Sequence, residues 1–270
     1  MQKTTEQIAL EKQLARLTRS FHKACADYGL LADGDHVLIG LSGGKDSLVL
    51  TELLGRRAKI HKPRFRITAL HVRVRERDYR TDLTYLENFC AEAGVPLVVR
   101  DVAIGESGSA SQNSHTQSAN PCFLCAWYRR KILFNVAQEL GCNKIAFGHH
   151  KDDIVQTLLM NIIYQGTFAT MPPMLQLDKM PLRIIRPLCL IPEEDLLQYA
   201  GMRNYMKQEK LCPFEHVSAR TQVKQLLEQI RILNPDALSS LYNSMTNIKP
   251  DYLPTVLILK KFSKCRPLYQ

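Results

Sequence analysis

Hydrophobic and polar residues recur along the chain with the periods of helices and of buried strands. Apolar residues spaced three and four apart predict a helix over residues 4–28. Short apolar runs then alternate with helical segments, and the predicted strands begin at His36, Arg66, Leu97, Lys144 and Arg183. This alternation predicts an α/β fold, with a doubly wound, mostly parallel sheet whose ligands bind at the carboxyl ends of the strands.

The pattern divides the chain into three regions. We predict an N-terminal helix over residues 1–30, an α/β domain over residues 31–190, and a helical C-terminal region over residues 191–270. The last boundary is weakly marked, and the helical region is equally compatible with packing directly on the α/β domain.

Composition narrows the class of protein. The 270 residues are 45% hydrophobic, yet no apolar run is long enough to cross a membrane, so a cytoplasmic protein is predicted. The net charge of +10 favours a polyanionic partner, and residues 56–80 hold ten Lys and Arg against two acids. Phe65 and Tyr79, in that basic stretch, are candidates for stacking on unpaired bases, which would make the stretch an RNA-binding surface rather than a merely solvated one.

A glycine-rich turn follows the first predicted strand and opens a helix. It consists of Ser42, Gly43, Gly44, Lys45, Asp46 and Ser47. Adjacent glycines let backbone N–H groups approach phosphate oxygens, the two serines add hydroxyl donors, and Lys45 adds positive charge. The spacing differs from that of a Walker motif, so we predict another type of phosphate-binding loop.

A second polar run follows the fourth predicted strand, at the same edge of the sheet. It consists of Gly148, His149, His150, Lys151, Asp152 and Asp153. Two carboxylates beside a triphosphate indicate Mg²⁺, which prefers oxygen ligands. The alternative is structural: Asp152 caps the following helix and His149 fills a gap in the packing.

The eight cysteines do not form a disulfide framework in an intracellular chain of this size. Cys122 and Cys125 form a C-x-x-C at the start of a predicted helix, where thiolates are favoured. Two ligands close neither a zinc nor an iron–sulfur site, so a third must come from elsewhere. Cys212, followed by Pro213 in a loop, is the best candidate, whereas Cys25, Cys90, Cys142 and Cys189 lie in apolar or helical contexts typical of core thiols.

The run from Ser42 to Ser47 resembles the signature of the PP-loop ATP pyrophosphatases. Residues 121–130, together with Gly148-His149-His150 and Met171-Pro172-Pro173, resemble the tRNA 2-thiocytidine synthetase branch. The resemblance implies that ATP is cleaved between its α and β phosphates, that AMP is transferred to the C2 oxygen of a cytidine in the tRNA anticodon loop, and that sulfur then replaces that oxygen.

The same resemblance implies the site and its partners. ATP and Mg²⁺ would be held by the two polar runs, with Lys45 and Asp46 as catalytic residues. A [4Fe–4S] cluster would be held by Cys122, Cys125 and Cys212, which also take part in catalysis. Glu215 stands where the branch commonly has a further cysteine. The implied partners are tRNA and a sulfur donor, either a cysteine desulfurase or hydrosulfide; the residues leave a homodimer open.

Two other functions stay open at this point. One is a PP-loop tRNA thiolase that acts on another nucleotide, such as a 2-thiouridine synthetase. The other is a non-catalytic RNA-binding module with a zinc site, against which the intact loop from Ser42 to Ser47 argues.

Overall fold

The structure is a computed structural model that describes residues 3–74, 82–102, 121–206 and 219–254, with the backbone alone for Val74 and residues 121–126. No helix in these ranges is long and apolar enough to span a membrane.

A mostly parallel sheet organises the molecule. Six strands lie in the order β3-β2-β1-β4-β6-β5 within the described residues. Their bounds are β1 His36–Gly40, β2 Arg66–Val74, β3 Leu97–Val102, β4 Lys144–Ala146, β5 Met174–Gln176 and β6 Arg183–Ile185. Only the pairing of β5 with β6 is antiparallel among these strands. The strand order reverses between β1 and β4, and such a switch point is where open α/β sheets bind ligands.

Helices cover both faces of this sheet, so the predicted doubly wound fold is confirmed. Their bounds are α1 Thr5–Asp27, α2 Lys45–Ala58, α3 Leu83–Ala93, α4 Pro121–Glu139, α5 Lys151–Gln165, α6 Glu193–Met202, α7 Ala219–Leu233 and α8 Ala237–Ser244, followed by a 3-10 turn at Pro250–Tyr252. On one face, a single apolar cluster joins α1, α2, α3 and α5 to α6, α7 and α8. On the other, α4 packs on Leu38, Leu70 and Ile145.

Local sequence explains most of these boundaries. Thr4 and Gln7 form a reciprocal capping box at the start of α1. Gly94 ends α3 in a left-handed conformation, with φ +71°. The sequence did not predict β5, because three residues are too few to show a period; the strand forms by pairing with β6.

A buried carboxylate ties α2 to the segment that follows α6. Glu52 accepts hydrogen bonds from the hydroxyls of Tyr199 at 2.8 Å and Tyr205 at 2.6 Å. Arg56 Nη2 lies 2.8 Å and Arg203 Nε 3.5 Å from its two oxygens. Burial alone raises the pKa of Glu52, but the bonds from Tyr205, Tyr199 and Arg56 outweigh burial and the net pKa is lowered.

We predict that Glu52→Gln lowers the free energy of unfolding by about 2 kcal/mol at neutral pH, since hydrogen bonds to a buried charge are lost. Because the folded-state pKa lies below the unfolded one, this contribution is complete above the unfolded pKa and fades as the pH falls through the folded value. Urea unfolding at about pH 7 and pH 4 tests both statements, with Glu87→Gln on the exposed side of α3 as the control. An undiminished difference at the lower pH would contradict the assignment.

Candidate nucleotide-binding site

The turn between β1 and α2 has the geometry of a phosphate loop. Gly43 has φ +85°, a conformation that other residues rarely adopt. The Gly44 N–H donates to Ser42 Oγ at 3.3 Å, and the Ser47 hydroxyl donates to the Gly44 carbonyl at 2.8 Å. Gly44 is the N-cap of α2 and supplies no side-chain acceptor. The first N–H groups of α2 are therefore oriented to receive an anion.

The second polar run lies directly against this loop. A Cβ on Gly148 would stand 3.0 Å from the Asp46 carbonyl carbon, 3.1 Å from its oxygen and 3.2 Å from the Ser47 nitrogen. Any larger residue at position 148 would have to push this backbone away by a few tenths of an ångström. The structure thus brings together the two polar runs that the sequence placed at one edge of the sheet.

The pKa values of the two histidines in the second polar run are shifted in opposite directions. Burial and the Arg186 charge lower the pKa of His149 to about 4, so its imidazole is neutral at physiological pH. For His150, burial lowers the pKa, but the Asp152 and Asp153 carboxylates, 3.7 Å and 3.4 Å away, outweigh it and the net pKa is raised. The site therefore places a neutral and a more readily protonated imidazole side by side.

Asp152 joins three helices. Its carboxylate accepts the Glu193 backbone N–H at 2.8 Å, forms an ion pair with Arg231 of α7, and faces His150. Burial raises the pKa of Asp152, but His150, the Glu193 N–H and Arg231 lower it to about 2. Asp152 is thus a buried anion whose charge the protein itself compensates. The predicted capping role is wrong, because His150 is the N-cap of α5 and Asp153 is its capping-box partner.

Glu193, at the start of α6, links the phosphate loop to α7. Its two oxygens accept hydrogen bonds from Lys45 Nζ at 3.2 Å and from Lys224 Nζ at 2.8 Å. Lys45 also lies 3.1 Å from Asp46. Burial lowers the pKa of Lys45, but Asp46 and Glu193 outweigh burial and raise it. Asp46 and Glu193 together therefore hold Lys45 charged at the mouth of the loop.

Asp153 completes this arrangement. It accepts the His150 backbone N–H at 3.1 Å and pairs with Arg220 at 2.5 Å. Arg220, Lys224 and Arg231 follow one another on α7 at spacings of four and seven, which places them on one side of the helix. The sequence analysis missed Glu193 and these three cations; the spacing was readable, but nothing in the sequence pairs α7 with the site.

Asp46 differs from the other acids of the site. Its Oδ1 is buried and has no hydrogen-bond partner among the residues described. Oδ2 receives Lys45. Since a buried, unpaired carboxylate oxygen is costly, Asp46 is the acid of this site with an unmet need for a cation or a donor among the residues described.

The cysteines fall into two groups. Cys90, Cys142 and Cys189 are buried and Cys25 is half-buried, and all four are free thiols whose pKa burial raises to about 11 or 12. The core assignment of these thiols is confirmed. The backbones of Cys122 and Cys125 lie in the first turn of α4, whereas Cys212 lies outside the described residues. Among the side chains described, no three His, Cys, Asp or Glu are grouped to hold a metal.

The structure describes only part of the basic stretch at residues 56–80. Arg73 forms a two-bond ion pair with Asp101, at 2.5 and 2.8 Å. Phe65 is buried in the core, so its proposed stacking on a base is wrong. Tyr79 and residues 75–81 as a whole lie outside the described ranges.

Comparison with known proteins agrees with this site. A family model described as a PP-loop domain matches residues 10–209. The chain belongs to the PP-loop family.

Individual members of this family resemble the chain along most of its length. The tRNA-cytidine(32) 2-sulfurtransferase of Burkholderia multivorans is 34% identical, over 90% of this chain and 72% of its own. The protein of the same name from Nitrosospira multiformis is 34% identical, over 92% and 82%. A solved structure, the U34-tRNA thiolase NcsA from Methanococcus maripaludis with its [4Fe-4S] cluster, is 28% identical with a TM-score of 0.69, covering 88% of this chain and 79% of its own.

We predict that Gly148→Ala weakens ATP binding about tenfold and costs about 1–3 kcal/mol of stability, because the added methyl group pushes the α5 loop off Asp46. Calorimetric titration with ATP and urea unfolding measure the two effects. Gly201→Ala in α6 is the matched control, since its Cβ would meet nothing within 4 Å. If Gly148→Ala binds ATP with unchanged affinity, the second polar run is not part of the nucleotide site.

Proposed function

We propose that this protein is an ATP-dependent tRNA thiolase that replaces the C2 oxygen of a cytidine with sulfur, at position 32 as in its named relatives. The observation that carries the proposal is the phosphate loop at the β1–β4 switch point, with Lys45 held at its mouth by Glu193. The C-x-x-C at the start of α4 supports sulfur chemistry in the same domain.

The proposed reaction has two steps. The cytidine C2 oxygen attacks the α phosphorus of ATP, the bond to the bridging oxygen breaks, and pyrophosphate leaves. A sulfur nucleophile then attacks C2 and AMP leaves with the original oxygen. Adenylation is needed because the C2 oxygen is otherwise a poor leaving group.

The phosphate loop performs the first step by electrostatics. The N–H groups at the start of α2 and the Lys45 ammonium face the negative charge that grows on the α phosphate and on pyrophosphate. Glu193 keeps Lys45 protonated and oriented.

The implied Mg²⁺ fits Asp46 best. Asp46 has a buried carboxylate oxygen without a hydrogen-bond partner within the described ranges, and carboxylate oxygen is a preferred ligand of this ion. Asp152 and Asp153, which the sequence also offered as ligands, already face Arg231, Arg220 and His150. We therefore assign the metal to Asp46 and a positioning role to the other two.

For the sulfur step we propose Cys122, Cys125 and Cys212 as ligands of a [4Fe–4S] cluster. With three cysteine ligands, one iron of the cluster would lack a protein ligand and would be available for a sulfur donor. Hydrosulfide or a cysteine desulfurase is the proposed source of sulfur, the cytoplasm is the proposed location, and a homodimer is a proposed assembly.

Lys45→Ala and Asp46→Ala are expected to abolish ATP-dependent thiolation of tRNA while the visible absorbance of the cluster remains, because neither residue is an iron ligand. Mass spectrometry of nucleosides after reaction with ATP and sulfide measures the activity. Lys179→Ala, an exposed residue before β6, is the control. Thiolation at the normal rate in either variant would remove the phosphate loop from the mechanism.

Cys212→Ala is expected to lose the broad visible absorbance of the cluster and all thiolation, with ATP binding retained. Cys142→Ala and Cys189→Ala should retain the absorbance, since both thiols are buried in the core. A Cys212→Ala protein that still binds four irons and thiolates tRNA would disprove the three-cysteine assignment.

Colourless, zinc-containing wild-type protein purified without oxygen would favour the RNA-binding module instead.

The target nucleotide needs a separate experiment. We expect tRNA from a deletion strain to lack 2-thiocytidine and to retain its 2-thiouridines. If the tRNA lacks only a 2-thiouridine, the protein acts on a uridine, as the name of the U34-tRNA thiolase indicates for that enzyme.

A further inference from the structure

The exposed side of α1 carries a row of cations. Lys12, Arg16, Arg19 and Lys23 recur at spacings of four, three and four, and all four residues are exposed. These spacings place them on one side of the helix, one in each successive turn, over about 16 Å of its length. The opposite side of α1, with Leu17, Phe21 and Ala24, is buried in the core. We call the row the α1 cation stripe.

The stripe is less neutralised than the cations of α7. Arg16 pairs with Asp195 at 3.1 Å, and Lys23 pairs with Asp27 at 2.6 Å. Lys12 and Arg19 have no ion pair within the described part of the chain. On α7, by contrast, Arg220, Lys224 and Arg231 each face an acid of the nucleotide site. The α7 cations are thus each paired with an acid of the site, whereas two of the four stripe cations have no acidic partner among the residues described.

The stripe adjoins the proposed catalytic site. Gln13 of α1 donates to the Asp195 carbonyl at 3.1 Å, beside the Arg16 ion pair. Asp195 lies in the first turn of α6, two residues after the Glu193 that holds Lys45. A groove of about 470 Å³ lies beside this contact and is lined by Lys12, Arg16, Arg19, Gln198 and Met202, among others. The stripe and the nucleotide site are thus connected through the first turn of α6.

We propose that the α1 cation stripe binds the phosphodiester backbone of tRNA and positions it beside the nucleotide site. The inference rests on tRNA as the substrate. A regular row of cations, one per helical turn, is complementary to the regular charge of a polynucleotide strand. Contacts of this kind position the RNA without reading its sequence.

A protein partner fits this face less well. Protein interfaces are depleted in lysine and centre on buried apolar and aromatic side chains. The stripe offers two lysines and two arginines, and among the large apolar side chains of the groove only Met202 is exposed, at 36%. No aromatic side chain among the residues described lines the groove, so it lacks the kind of anchor on which protein interfaces centre.

The test is the double variant Lys12→Glu with Arg19→Glu in the full-length, cluster-loaded protein. Neither side chain has an ion pair in the described structure, so the fold should be retained, which circular dichroism checks. The probe is an unmodified tRNA transcript in a filter-binding titration at several salt concentrations. We expect the Kd to rise about tenfold or more and the slope of log K against log salt to shrink by one to two units, with ATP affinity unchanged.

The matched control is Lys179→Glu with Lys249→Glu. Both lysines are exposed, neither has an ion pair in the ranges described, and the change in net charge is the same. Equal weakening in test and control would reduce the effect to overall charge and overturn the proposal, as would an unchanged Kd in the α1 variant. A neutralising pair, Lys12→Gln with Arg19→Gln, should give a smaller loss in the same direction.

The outcomes separate this inference from the proposed function. If the wild-type protein thiolates tRNA and the α1 variant binds it normally, the stripe is wrong and the function stands. If the wild-type protein binds tRNA through the stripe but forms no thiolated nucleoside, the function is wrong and the stripe stands. A wild-type protein that does not bind tRNA overturns both.

Discussion

The close approach of two backbones at the β1–β4 switch point is the constraint on which the site depends. Gly148 lies against the peptide that joins Asp46 to Ser47, at distances that a side chain could reach only if the neighbouring backbone shifted. This contact fixes the start of α5 relative to the start of α2, so two helix N-termini converge on one small volume. Converging N-termini favour an anion, and the two polar runs of the sequence supply the donors around it.

That concentration of polar groups creates an electrostatic problem that the C-terminal helices solve. Asp152, Asp153 and Glu193 lie within one region, and three like charges at low exposure would repel one another. Arg231, Arg220 and Lys224 of α7 compensate them one by one. The helical region after residue 191 is therefore part of the site, and it also shares the main apolar cluster with α1, α2 and α5.

This arrangement gives α6 and α7 a positioning function in the proposed reaction. Glu193 accepts hydrogen bonds from Lys45 of the phosphate loop and from Lys224 of α7. The loop lysine therefore has a fixed partner before any nucleotide binds. Asp195, one half-turn further along α6, forms an ion pair with Arg16 of α1. One short helix thus connects the place where ATP is proposed to bind with the surface proposed to hold RNA.

The sequence by itself determined the class of fold, the first helix, the starts of five strands and the two polar runs, because periodicity, caps and glycines act over a few residues. The glycine-rich run lies between β1 and α2 as predicted, and Cys90, Cys142 and Cys189 are buried as their apolar surroundings indicated. Only the tertiary structure decided β5, the burial of Phe65, and the pairing of α7 with the acids of the site. Those features join residues such as Asp152 and Arg231 that are 79 positions apart. Long-range ion pairs leave no periodic trace in a sequence, since their partners are chosen by how helices dock on the sheet.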